Sequence, residues 1–203
     1  MLSLKDKFEE LRLRLGTGRR LDSTGSEPIF YLVFPVSEIL DVKRQTKGWL
    51  ARLEHDGWHV VTLSLASVVA SILQNHRLRK IWLQSEKQLI QQAESKRVPL
   101  EYREINKTLA KALSDNSQLA PELTGAIDAK LREVDEHPQG LLLVCDLEAL
   151  HPYLRINTIE AYMQGRIHRP VIVLYPGKRE GKTSLRFLEF YPADPNYRSE
   201  HIE

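Results

Sequence analysis

Two stretches carry residue types and spacings that could do chemistry on a nucleotide. Residues 171–183 read VIVLYPGKREGKT and close on Gly181-Lys182-Thr183. A phosphate-binding loop requires G-x-x-x-x-G-K-[ST] between a strand and a helix, so that successive backbone N–H groups wrap the phosphate and the helix N-terminus faces it. Counted from Gly177, this stretch is one residue short. The residues that follow place Leu185, Phe187 and Tyr191 on one side in steps of two, the period of a strand rather than a helix. The second stretch, GLLLVCDLE from Gly140 to Glu148, resembles the strand-plus-acid pattern that holds Mg²⁺ in nucleotide hydrolases. It puts Asp146 at a strand's C-terminal end, where open α/β sheets bind ligands. The order of the two is reversed, because a phosphate loop should precede the acid and here it follows by about 35 residues. The corresponding early position, Pro35-Val36-Ser37-Glu38 after an apolar run, has no glycine to let a phosphate approach the backbone. Asp146 is then open to two readings, a helix N-cap or loop carboxylate, or the acid of a nucleotide-binding or hydrolytic enzyme.

Other candidates are thinner. Of the seven histidines only His55 and His59 fall at H-x-x-x-H spacing, and the helix end expected at Asp56-Gly57 lies between them, so no pair on one helix face and no metal motif appears. Asp146, Glu148, His151 and Arg155 could meet near one strand end as acid, base and anion-binding groups. Cys145 is the only cysteine and follows Leu141-Leu142-Leu143-Val144, so it excludes a disulfide within the chain and reads as a small buried hydrophobe. The net charge of +2 is too mild to imply nucleic acid by itself. The C-terminal third nevertheless gathers Arg166, Arg169, Lys178, Arg179 and Lys182, which makes weak contact with a DNA backbone a further reading. These motifs assign no catalytic, cofactor-binding or metal-binding residue.

The elements that must position these residues follow from periodicity. A single domain over 1–203 is expected, with no disulfide or structural metal needed at this length. Leu4, Phe8, Leu11 and Leu15 fall at helical spacing and predict an N-terminal docking helix within 1–20. Ile29 to Phe34 is uniformly apolar, as a strand buried on both faces should be. Ser37 is the expected N-cap of a helix carrying Leu40, Trp49, Leu50 and Leu53 inward and ending at Asp56-Gly57, with a strand from Trp58 to Leu65 after it. Residues 66–136 read as a helical insertion. Strands return at Leu141–Cys145 and Pro170–Tyr175, separated by a helix over Asn157–Gln164. Tyr175-Pro176-Gly177 reads as a strand exit, and Leu185–Tyr191 as a last strand paired antiparallel, since about eight residues are too few for a parallel crossover. Residues 192–203 read as a polar tail. The predicted class is α/β: a mostly parallel sheet of about five strands with helices on both faces, the helical insertion and a C-terminal antiparallel edge hairpin, similar to NTPase and Rossmann-like folds but without their nucleotide motifs. No signal peptide or membrane span is evident, so the expected location is the cytoplasm.

The C-terminal third carries a family resemblance. Pro152-Tyr153-Leu154-Arg155, the run from Arg169 to Gly177, Gly181, Ser184-Leu185-Arg186 and Asp194-Pro195-Asn196-Tyr197-Arg198 together resemble BrxB, the small-protein family of bacterial BREX phage-defence systems. The chain departs from that pattern at Arg179-Glu180 and Lys182-Thr183 and has one more residue between Gly181 and Leu185. The resemblance implies a non-enzymatic protein-interaction subunit whose partners are the phosphatase-like PglZ protein and other BREX components, acting beside a methyltransferase and an ATPase. It places candidate partner-binding residues at Arg155, Tyr175, Pro176, Gly177, Tyr197 and Arg198. Trp82 joins them from its setting in the helical middle, where large apolar residues are flanked by Arg77, Arg79, Lys80, Glu86 and Lys87. A homodimer is compatible with this reading.

Overall fold

The computed structural model describes residues 2–16, 28–97, 103–115, 118–181, 184–195 and 200–203. The chain opens with α1 (Leu4–Gly16), then β1 (Ile29–Phe34), α2 (Ile39–His55) and β2 (His59–Ser64). Four helices follow, α3 (Leu65–Asn75), α4 (Arg79–Lys96), α5 (Arg103–Leu113) and α6 (Pro121–Asp135), with a small hairpin of β3 (Ser114–Asp115) and β4 (Gln118–Leu119) between the last two. The C-terminal part comprises β5 (Gly140–Cys145), α7 (Ile156–Met163), β6 (Val171–Glu180), β7 (Ser184–Phe187), β8 (Asp194–Pro195) and β9 (Glu200–Ile202).

Five strands stand in the order β2-β5-β6-β1-β9, and every neighbouring pair in that series is parallel. The alternation of side chains divides them between two apolar layers. On one face Tyr31, Val33, Leu142, Val144, Val173 and Tyr175 pack with residues of α3, α6 and α7; on the other, Phe30, Leu32, Leu143 and Leu174 pack with α1 and α2. This is why β1, β5 and the first part of β6 read as unbroken apolar runs. The α/β class, with a mostly parallel sheet of about five strands and helices on both faces, is therefore what the structure has.

Several local expectations are revised. Ser37 sits inside a 3-10 turn (Val36–Glu38) and caps nothing, so α2 starts at Ile39. The later start fixes the helix phase, burying Val42, Trp49 and Leu53 and leaving Leu40 on the far side, 64% exposed. Gly57 does take the left-handed conformation after α2, with φ of 93°. The strand does not exit at Tyr175-Pro176-Gly177. It continues to Glu180 and changes partner, pairing with β1 up to Pro176 and then antiparallel with β7 from Gly177. The predicted antiparallel hairpin is thus built beyond the C-terminal rim of a central strand. The last strand closes early, at Phe187, because Leu188 and Glu189 both turn to positive φ. The sheet edge is held by β9, which lies in the segment expected to be a polar tail and buries Ile202 against the α1/α2 layer. Of the segment expected as a helical insertion, α3 and α6 line a face of the sheet; α4 contacts α3 and α5 and has no buried residue.

Candidate functional site

The helix after β1 covers one face of the sheet, and the helices after β2 and β5 cover the other. Strands whose following helices diverge in this way leave a crevice at their C-terminal ends, here between β5 and β1 with β6 standing between them. The rim beside β1 is where the chain's polar groups gather.

Asp146 follows the last residue of β5 in a left-handed conformation, φ 60° and ψ 40°, tolerated by Asp better than by most residues. This turns its carboxylate across the rim toward the end of β2. The Ser64 hydroxyl donates to Asp146 Oδ2 at 2.6 Å, while Ser64 Oγ also accepts from the Ser67 N–H and caps α3. From α2 the Lys43 ammonium reaches Asp146 Oδ1 at 3.0 Å and Glu148 Oε1 at 2.6 Å. Burial by itself would raise the Asp146 carboxyl, but the Ser64 hydroxyl and the Lys43 ammonium outweigh it and hold the group below the usual carboxylate value. Lys43 is raised in turn, first by its bond to Glu148. Phe34, Ile39, Val42, Thr46 and Leu174 enclose the cluster in a cavity of about 280 Å³. The arrangement is two carboxylates sharing one ammonium, with the positive charge supplied by the chain itself.

Cys145 points its sulfur to Asp146 Oδ2 at 3.4 Å, and burial followed by the neighbouring carboxylate pushes the thiol up to about 12. It is held as a thiol at neutral pH and is a poor nucleophile.

The four residues expected to converge divide into two groups. Asp146 and Glu148 engage Lys43. His151 Nδ1 is hydrogen-bonded to the Tyr191 hydroxyl, and Arg155 lies 4.7 Å from the Tyr191 ring and 3.2 Å from the Asp194 carboxylate. Tyr175, Pro176 and Gly177 are buried, because β6 is an interior strand; the Tyr175 ring packs edge-on against Tyr31 and Phe187. Their side chains pack within the sheet. Trp82 is partly buried against the core and stacks on His76 at 4.0 Å between ring centroids. Tyr197, Arg198 and Lys182 lie outside the described residues.

Among the described residues the basic set does not form one patch. Arg166 and Arg169 precede β6, and Lys178 and Arg179 lie at its far end, so roughly 25–30 Å of strand separates the two pairs. Three of these residues have partners within the chain: Arg166 bonds Asp128, Arg169 the Pro138 carbonyl and Arg179 Glu203. Among the described residues no group of His, Cys, Asp and Glu could hold a metal ion, and no helix is long and apolar enough to cross a membrane.

Two lysines at this rim escape sequence reasoning. Lys43 looks like any solvated residue of an amphipathic helix; its role follows from β1 lying one strand away from β5. Lys7 of α1 is 3% exposed, donates to the Val33 carbonyl at 2.9 Å and lines a cavity of about 830 Å³ with Phe34, Pro35 and Lys178. Burial lowers its amine.

Fold and rim together define an α/β protein with a mostly parallel sheet whose two strand-end acids share one lysine of α2. A family model described as BREX protein BrxB matches residues 61–202. The chain belongs to the BrxB family, which places it in the BREX phage-defence systems. Comparison with curated proteins and with solved structures gave no match.

Proposed function

We propose that this protein is a non-enzymatic protein-interaction subunit of a BREX anti-phage complex and that it binds the PglZ component. The observation that carries the non-enzymatic part is the Lys43 ammonium between Asp146 and Glu148. Both acids are where a nucleotide enzyme would present them to a cation, and both already share a tethered one. A divalent ion would have to displace Lys43 and meet its charge at close range, which disfavours metal binding. The family membership supplies the setting, and the PglZ assignment rests on what the BrxB resemblance implies.

The test is co-expression of the full chain with the PglZ homologue of the same operon. A stable complex should co-purify in a defined ratio, and titration of the isolated chain with Mg-ATP should give no saturable heat. Failure of PglZ to co-purify would remove the partner assignment. Saturable Mg-ATP binding that disappears in Asp146→Asn would restore the enzyme reading.

A further inference from the structure

The longest of the described helices, α4, has no buried residue. All eighteen residues of α4 escape full burial; Trp82, Glu86, Leu89, Ile90 and Ala93 are half-buried and form the side turned toward α3 and α5. Leu78, Ile81 and Leu83 remain 37%, 59% and 54% exposed. A helix of this length gains little stability from propensity alone and normally depends on an apolar face covered by something else.

The charge on α4 and its two flanks is one-sided. Arg77, Arg79, Lys80, Lys87, Lys96 and Arg97 are all exposed, against only Glu86 and Glu94. None of the six holds an ion pair among the described residues. The first turn of α4 carries Arg79 and Lys80, has no acid, and starts from Leu78 without a side-chain cap, so the positive end of the helix dipole adds to this charge.

We propose that α4 is a docking surface for an acidic, apolar-bearing segment of a partner protein, the carboxylates meeting the unpaired lysines and arginines and the apolar side chains covering Ile81 and Leu83. The proposal rests on the interaction-subunit reading and names the surface and partner chemistry within it. A protein segment fits better than the alternatives. Ile81 and Leu83 lie about 160° apart around the helix, on either side of its packed stripe, so a flat lipid surface can reach only one of them while a protein groove can take both. A phosphate backbone would use the basic residues and leave both apolar side chains wet.

The experiment measures affinity of the full chain for the purified PglZ component in three forms: wild type, Lys80→Glu/Lys87→Glu, and Ile81→Ser/Leu83→Ser. Melting should be unchanged in both variants, because every altered side chain is exposed. The expected result is a loss of affinity of about tenfold or more in each variant, with the wild-type interaction weakening as salt rises. Equal affinity in all three forms overturns the α4 surface and leaves the interaction reading intact. Absence of wild-type binding overturns both. Binding to duplex DNA or anionic vesicles that is lost in the charge-reversed variant, with PglZ affinity unaltered, also overturns it.

Discussion

Replacing Lys43 by Met leaves Asp146 and Glu148 together in the turn after β5 with no ammonium to share. Because nearly half of the Lys43 side chain is exposed, solvent screening limits the expected loss to about 1 kcal/mol. The pH dependence is the sharper measurement. The Asp146 carboxyl is held below its ordinary value in the folded protein, so its stabilisation is present above the unfolded carboxylate pKa of about 3.9 and is lost as pH falls through the lower folded value. Lys43 is raised, so its share is complete below the unfolded lysine pKa of about 10.4 and is lost as pH climbs through the folded value. Urea unfolding of wild type and Lys43→Met should therefore differ most between about pH 5 and 9 and converge as pH falls through the lowered folded value of Asp146. A gap that persists in strong acid would assign the effect to lost packing of the lysine stem instead. Cys145, beside the same cluster, should stay inert to alkylating reagents at neutral pH for as long as its thiol is held up by burial.

At the scale of elements, the Tyr175-Pro176-Gly177 stretch shows how one glycine can be required for a reason other than a turn. Gly177 begins the antiparallel part of β6, opposite Phe187. A Cβ placed there would lie 2.2 Å from the Arg186 carbonyl oxygen and 2.9 Å from the Tyr175 ring. The freedom to turn is exercised four residues later by Gly181, with φ of 68°. Gly177→Ala should force β6 and β7 apart and cost about 1–3 kcal/mol, while Gly181→Ala should cost about 1 kcal/mol by backbone strain in the turn. Thermal denaturation of the two variants ranks them. Hydrogen exchange at the β7 amides should increase for Gly177→Ala first, and equal protection in both would remove the close-approach argument.

For the whole molecule, the question is how much the last residues contribute. β9 is three residues long, yet it closes the β1 edge in parallel register, and the Arg14 guanidinium of α1 reaches the Glu200 carboxylate. Ile202 is 1% exposed within the layer formed by Leu32, Leu174 and α1. A polar tail would tolerate Ile202→Ala within about 0.5 kcal/mol, whereas an integral strand should lose about 2–5 kcal/mol. Chemical denaturation distinguishes these outcomes directly, and a near-neutral result would return the segment to the status of a tail.

What the sequence determined by itself is whatever local periodicity and backbone chemistry encode. Ile29–Phe34 and Leu141–Val144 read as strands covered on both sides, since runs of six and four consecutive apolar residues leave no polar face. Leu4, Phe8, Leu11 and Leu15 set the buried side of α1, and Asp146 was placed at a strand end beside a crevice. Tertiary structure decided everything that depends on which strand lies next to which. Inserting β1 between β6 and β9 brings Lys43 within reach of Asp146, a pairing over one hundred residues of sequence that no spacing can show. The same strand order buries Tyr175 in the interior, sends the basic residues flanking β6 to opposite rims, and gives a polar-looking C-terminus an edge to pair with. Local sequence sets the period of an element, but pairing energy and burial are properties of neighbours, and neighbours exist only once the sheet is assembled.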